Sequence, residues 1–503
     1  MIYDYVIIGA GPTGLTLAYL LGKLGHKCVI IDKNDSIGGC HRVTRVNGLF
    51  TEHGPRIYSS TYINTMKLLQ KMNVDFYDLF TPYNFKISNI GGKTIVNFSS
   101  RELLILIGEF FKLIINTNHG RTISMKQFMN QHSFSQKSMD YIDRLCRLTD
   151  GAGIDRYSLF EFLQLANQQA FYRLYQPKKP NDVGLFYYFL KALKETKNVT
   201  ILLETSVLEL NSSKNTREII NVRTNKGVIN GKNFILAVSP KDMLSILNRS
   251  GYVISKTFGE LDHWTKYSTY INDIPIIFHW NRKLELPKIW GFPASDWGIA
   301  FIVLSDYMNF DDNRSQTVIT TCITDVNKVS HFLKMTANQV TTKKMLINEV
   351  FRQLKQTYPY LPNPTFSFLS PTVYRSKNEW IDKDSAYVMT NLNKFLPSSG
   401  KIPNLYNVGT QNGKSLYNFT SFESAVTNAI AFVNEKYPNH TSQITLTKPF
   451  SIHIFIFVFI FVIFVIFVIV IIIISSKLGD KFANIFRKYY TNIINNMYLK
   501  YRS

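Results

Sequence analysis

Residues 5–14 read YVIIGAGPTG, and residues 29–39 read VIIDKNDSIGG. Residues 3–8 form a mostly apolar run of the kind found in a parallel sheet covered on both faces. Just beyond it Leu15, Ala18, Tyr19 and Leu21 recur at helical spacing. Strand, glycine turn and helix therefore follow in order. In such a unit Gly9 permits the tight turn, Gly11 lets the backbone approach a pyrophosphate, and Gly14 allows close packing of helix on strand. Thr13 lies in the same turn, and the free amides of the helix N-terminus face the phosphates. Residues 27–31 read as the second strand. Asp32 at its end is placed to accept the two ribose hydroxyls, with Lys33 beside it. The arrangement predicts a dinucleotide site.

What comes next selects the dinucleotide. Residues 38–45, GGCHRVTR, are followed at 47–60 by NGLFTEHGPRIYSS. This combination resembles the flavin-containing amine oxidase and protoporphyrinogen oxidase superfamily. The resemblance implies FAD as cofactor, with the first unit holding its adenosine half and Gly38 and Gly39 running along the diphosphate. Arg42 or Arg45 would be a charged clamp. Gly54, Pro55, Arg56 and Ile57 would approach the isoalloxazine. Cys40 stands where the family often has an arginine.

Two further blocks carry the same resemblance. Residues 184–211 look like a helix leading to a strand that returns beside the first, and the backbone at Val207 would read the adenine. Residues 219–223 and 227–229 look like a hairpin, followed by a separate strand in KNFILAVSP at 232–240. Residues 404–433 resemble the closing strand, glycine turn and helix, with Gly409 at the turn. Gln411 stands near where relatives carry an acid, and Gln can still donate and accept hydrogen bonds. The expected fold class is therefore α/β, a Rossmann-type FAD-binding domain with an inserted α+β substrate domain and a C-terminal transmembrane helix. Segments 1–60, 184–243 and 371–437 would form the FAD-binding domain, and 61–183 with 244–370 the substrate domain. Those insertions contain no repeat and no second dinucleotide fingerprint; GGKT at 91–94 and DGAGID at 150–155 lack the strand and helix context.

Few side chains are compulsory when a flavin ring takes the hydride. Tyr58, Tyr417 and Lys377 are the catalytic candidates. The tyrosines would be walls of the substrate site and Lys377 would position a water beside the flavin; each is equally readable as packing or surface. His41, His53, His263 and His279 lack metal-ligand spacing, and no metal is expected. No serine sits in a nucleophile-elbow pattern.

The four cysteines form no CxxC cluster, which fits a reducing compartment better than a disulfide framework or structural zinc. The net charge of +22 is spread among many Asn and Ile. It predicts no nucleic-acid partner, while an anionic substrate or acidic membrane surface stays open. Residues 454–474 contain no polar side chain and, at about 1.5 Å per residue, can cross a hydrocarbon layer of about 30 Å. The basic tail at 475–503 would favour the cytosolic side. The lack of a signal pattern at the start favours a catalytic domain in the cytosol, and the expectation follows the latter: a single-pass, tail-anchored protein.

Three functions fit these residues. The first is a membrane-anchored FAD-dependent oxidoreductase moving a hydride from a small organic substrate to FAD. The second, from another class, is an isomerase like UDP-galactopyranose mutase, for which Arg56, Arg144, Arg147, Arg156 and Arg173 would hold a diphosphate. The third is a non-catalytic FAD-binding or membrane-tethered interaction protein.

Overall fold

In a computed structural model of the chain, the described residues are 1–52, 54, 56–85, 98–169, 171–213, 217–261, 265, 268–292, 294–389, 395–417, 421–440 and 443–500. His53, Pro55, His263 and the GGKT segment lie outside them.

Strand Ile2–Ile8 becomes buried from Tyr5 onward, because both faces of the sheet are covered. It runs parallel to Cys28–Ile31 on one side and to Gly227–Leu236 on the other. The sheet order is Val199–Leu202, Cys28–Ile31, Ile2–Ile8, Gly227–Leu236, Ile219–Thr224, Val207–Ser212, and Leu405–Asn407 also pairs with Gly227–Leu236. This is the mixed α/β, Rossmann-type arrangement expected from the sequence. Helix Pro12–Lys23 starts with proline in its first turn, where the missing amide costs nothing, and is buried almost throughout. Helix Phe422–Lys436 packs against it.

Two expectations are corrected. Residues 227–229 and 232–236 are one continuous strand, Gly227–Leu236, and not a hairpin arm followed by a separate strand. The Asn230-Gly231 pair reads locally as a turn, but pairing with Ile2–Ile8 prevails. A Cβ on Gly231 would sit 2.5 Å from Val6 Cγ2, so glycine here serves close strand packing. The stretch 184–211 also contains two strands. The first, Val199–Leu202, pairs with Cys28–Ile31 rather than with the opening strand.

The second sheet is antiparallel, in the order Ile299–Val303, Thr317–Ile323, Ile274–Trp280, Phe366–Leu369. One face packs Ile276, Phe278, Phe301 and Ile319 on Val350 and Leu354 of helix Lys343–Thr357. The opposite face presents Ile277, Ile302, Val318 and Cys322 to Val43 and Phe50, which follow the glycine loop in sequence. That face brings the second sheet to the first. His279 is buried there, bonded to Ser315 and to the Phe50 carbonyl at 3.0 Å each.

Glu423, in the first turn of Phe422–Lys436, ties the ends of the chain together. Its carboxylate accepts the amides of Asn64 and Thr65, the Asn64 side-chain amide and the Thr65 hydroxyl. Helix Ile452–Lys500 follows; its part from Ile454 to Ile494 is long and apolar enough to be a candidate membrane span.

Candidate functional site

The glycine loop is built for close approach. Gly9 has φ +111°, and a Cβ there would lie 2.5 Å from the Ala237 carbonyl oxygen; a Cβ on Gly14 would lie 1.9 Å from that of Gly9. Gly11 differs. A Cβ on it would meet only Gly39 Cα, at 3.7 Å. Gly11 also caps helix Pro12–Lys23 without any side-chain hydrogen bond, so the amides of the first turn are left for a ligand. Behind them the Asp32 carboxylate accepts the amides of Ala10 at 2.7 Å and Asn34 at 2.8 Å. An ionised carboxylate has roughly four acceptor sites, which leaves room for two ribose hydroxyls.

These residues open on a cleft of about 780 Å³, within the range of cofactor sites. Gly9, Gly11, Thr13, Asp32, Lys33, Gly39, Val207 and Gly409 all line it, so eight of the sequence-predicted cofactor residues come together from three distant segments. Gly14 packs the helix onto the loop instead. Lys33 pairs with Asp242 at 3.2 Å across the mouth. Arg249, not anticipated from sequence, donates to the carbonyls of Val207 and Leu208 at 3.2 and 2.7 Å. At Gly409, a Cβ would fall 2.4 Å from Gln411 Oε1. Gln411 is held by the Tyr387 hydroxyl at 2.6 Å and by donating to Asn407 at 2.7 Å. Its amide therefore organises the turn.

The far wall carries an ion pair that sequence reading left half-identified. Arg42 and Asp384 meet with side-chain exposures of 4% and 9%, and among the described residues Arg42 Nε has no hydrogen-bond partner. Arg45 is not at the cleft. It sits on the short strand Thr44–Val46 and pairs with Asp182 in a partly exposed position.

Gly54 and Arg56 lie where the two sheets meet. A Cβ on Gly54 would contact Cys322 Sγ at 3.5 Å, and the Arg56 guanidinium donates to the Cys40 carbonyl. Ile57 packs at the edge of the same cluster. Two carboxyls surround Arg56. Burial pushes Glu52 up to about 7 against the pull of Arg56, and burial likewise pushes Asp273 up to about 7 against a Cys322 hydrogen bond and the charges of Arg147 and Arg56. Among the described residues Gln176 Oε1 and Asn181 Oδ1 have no hydrogen-bond partner, and these two residues line a small cavity of about 10 Å³ with Glu52 and Arg56. Glu52 could have been noticed, since it stands two residues before Gly54; nothing in the sequence around Asp273 marks it.

The proposed catalytic side chains are placed elsewhere. Tyr58 is buried, accepts from Asn181 at 3.0 Å and packs on Phe80 at 4.5 Å between centroids. Tyr417 is buried and bonded to the Thr61 hydroxyl. Lys377 is exposed with φ +48°, at the turn between strands Val373–Ser376 and Glu379–Asp382. The structure brings none of the three to the cleft; tyrosines here serve core packing and the lysine serves a turn.

A family model described as an NAD(P)-binding Rossmann-like domain matches residues 7–72. Putrescine oxidase bound to putrescine is similar in structure at a TM-score of 0.61 and 14% identity, covering 87% of this chain and 99% of that one. A putative protoporphyrinogen oxidase from Exiguobacterium sp. 255-15 superposes at 0.57 and 14% identity, covering 86% and 98%. The fold is the one seen in amine oxidase structures. In sequence, this chain is 28% identical over 116 residues to the UDP-galactopyranose mutase of Mycoplasma genitalium, over 19% of this chain and 29% of the mutase. The curated relatives are matched over 10% to 29% of their length. In this amine oxidase-like fold the cleft lies at the C-terminal ends of Ile2–Ile8 and Cys28–Ile31, where open α/β sheets bind their ligands.

Proposed function

We propose that the chain is a membrane-anchored, FAD-dependent oxidoreductase that moves a hydride from a small organic substrate to bound flavin. One observation carries this reading. Gly11, open to the cleft, and Gly39, packed closely on it, meet in front of an uncapped helix N-terminus in the same cleft as Asp32, and that cleft continues past Arg42 to Tyr387. These residues fit FAD: the amides and Thr13 take the diphosphate, Asp32 the ribose and the Val207 backbone the adenine. Gly39 and Gly409 line the middle, and Gly54, Arg56 and Ile57, at the junction of the two sheets, would stand toward the ring. In this assignment residues 1–60, 184–243 and 371–437 hold the cofactor, and 61–183 with 244–370 hold the substrate.

Bound FAD supplies a ring that accepts a hydride. The chain supplies the rest. Glu52 and Asp273 are buried beside segment 54–57 rather than in the cleft, each pushed up to about 7 by burial, and are the carboxyls to test for a part in proton handling. The charge of Arg56 acts on both carboxyls through space, and the apolar face of Ile277, Ile302 and Val318 would keep water from this junction of the two sheets. The helix from Ile454 anchors the protein in a bilayer, with the catalytic domain facing the cytosol.

The short match to the mutase favours a second reading, a sugar-nucleotide isomerase in which Arg56 holds a diphosphate. Both readings require FAD. Full-length protein purified in detergent is expected to carry a flavin spectrum, and stripped protein to regain it on FAD titration. A folded, colourless preparation that takes up no FAD would overturn both. Anaerobic bleaching by a reduced metabolite selects the oxidoreductase, and UDP-sugar conversion only after prior reduction selects the isomerase.

A further inference from the structure

Helix Ser100–Ile115 is inside out. Its inward side carries Glu102, Leu106, Glu109 and Leu113, whereas Leu104, Ile107, Phe111 and Ile115 are exposed at 68, 49, 48 and 91%. The spacing places these four on one face. The two inward carboxylates are engaged there. Glu102 accepts the amides of Ser99 and Ser135 and the Ser138 hydroxyl, and Glu109 pairs with Lys112 and His119. Rolling the helix to hide its apolar row would strand both carboxylates, so the row is held outward. An apolar row fixed toward the outside calls for a partner.

The surroundings say which partner. Helix Ile452–Lys500 leaves the folded part across Ser100–Ile115 and Leu159–Gln169. At its root Phe450 and Phe455 pack on Phe171 at 5.4 and 5.5 Å between centroids, and the Phe450 amide donates to the Tyr172 hydroxyl at 2.7 Å. The helix that carries the apolar row thus packs against the helix in which the candidate span lies. Arg101, exposed on this helix, suits a lipid phosphate at its border.

We propose that the outward face of Ser100–Ile115 docks into the bilayer that the span enters, giving the protein a second membrane contact beside its anchor. The proposal rests on residues 454–474 crossing that bilayer. Burying such a face at the headgroup boundary adds affinity and fixes the orientation that one helix on a short hinge leaves open. It holds the folded part against the lipid surface.

Site-specific labelling in the full chain tests it. Variants I107C and F111C, with F464C in the span and Y360C on a fully exposed loop, are labelled with an environment-sensitive fluorophore and reconstituted in phosphatidylcholine–phosphatidylserine vesicles. The parent chain, whose four cysteines are buried or half-buried, gives the background. The expected result is a blue shift at 107 and 111, with loss of intensity to doxyl-labelled lipid comparable to that at 464, while 360 stays water-like. Water-like emission at 107 and 111 with 464 quenched overturns the docking and leaves the anchor standing. A blue shift at 107 and 111 without lipid quenching assigns the face to a second copy and also overturns it. An unquenched 464 removes the anchor, and the docking with it.

Discussion

The guanidinium of Arg42 and the carboxylate of Asp384, 342 residues apart in the chain, form a buried ion pair in the wall of the cleft. Removing one partner leaves the other charged and unpaired, at a cost of about 3–5 kcal/mol. Asp384→Asn is therefore expected to lower the thermal midpoint sharply. The double variant Arg42→Met with Asp384→Leu should recover much of that loss, as calorimetry on the purified chain will read.

Gly11 and Gly14 should separate binding from folding. At Gly11 an added side chain stands in the cleft, so Gly11→Val is expected to keep the folded state and lose FAD retention. At Gly14 a Cβ collides with the Gly9 carbonyl, so Gly14→Ala is expected to lower stability by several kcal/mol, as overpacking against backbone does. Flavin content and unfolding midpoint, measured on both variants, check the contrast.

Stability should depend on pH through Glu52. Its folded value, about 7, lies above the ordinary carboxyl value of 4.5 because burial disfavours the charged form. The folded state thus binds the proton more tightly, and this contribution is fully present below pH 4.5, falling as pH rises and gone above about 7. The loss is at most about 3 kcal/mol at 1.36 kcal/mol per pH unit. Glu52→Gln is expected to flatten the fall in midpoint between pH 5 and 8, and to suppress turnover if this carboxyl handles the substrate proton.

Lys377 occupies the left-handed region at the tip of an exposed turn. Lys377→Gly is expected to raise stability by up to about 1 kcal/mol, since only glycine adopts that backbone without strain. Flavin content should not change.

What the sequence disclosed follows the range of the physics. Gly9, Gly11, Gly14 and Asp32 act within one strand-turn-helix unit, so their spacing alone predicts the cradle. Val207 and Gly409 reach it through segments recognisable in their own right. Arg42 was visible as a candidate clamp, but Asp384 was not, because nothing local marks a partner 342 residues away. Glu52 and Asp273 gain their chemistry from burial between two sheets, which no local pattern encodes. Tyr58 and Tyr417 sit near the right motifs, but their rings are consumed by the core. The separate strand expected at 232–240 fails for a related reason: pairing with Ile2–Ile8 runs one strand unbroken from Gly227 to Leu236.

The last helix runs unbroken for 49 residues, about 74 Å at 1.5 Å per residue, against a hydrocarbon layer of about 30 Å. Beyond the apolar stretch it continues about 39 Å as a rod bearing Lys477, Lys481, Arg487 and Lys488. In the proposed topology, with the domain on one side of the bilayer, those four cations have to be carried to the other during biogenesis. An electrical potential negative on the receiving side contributes about 2.3 kcal/mol per charge per 100 mV to that passage, and one of the opposite sign resists it. In that topology the rod would couple the direction of insertion to the electrical polarity of the membrane that receives it.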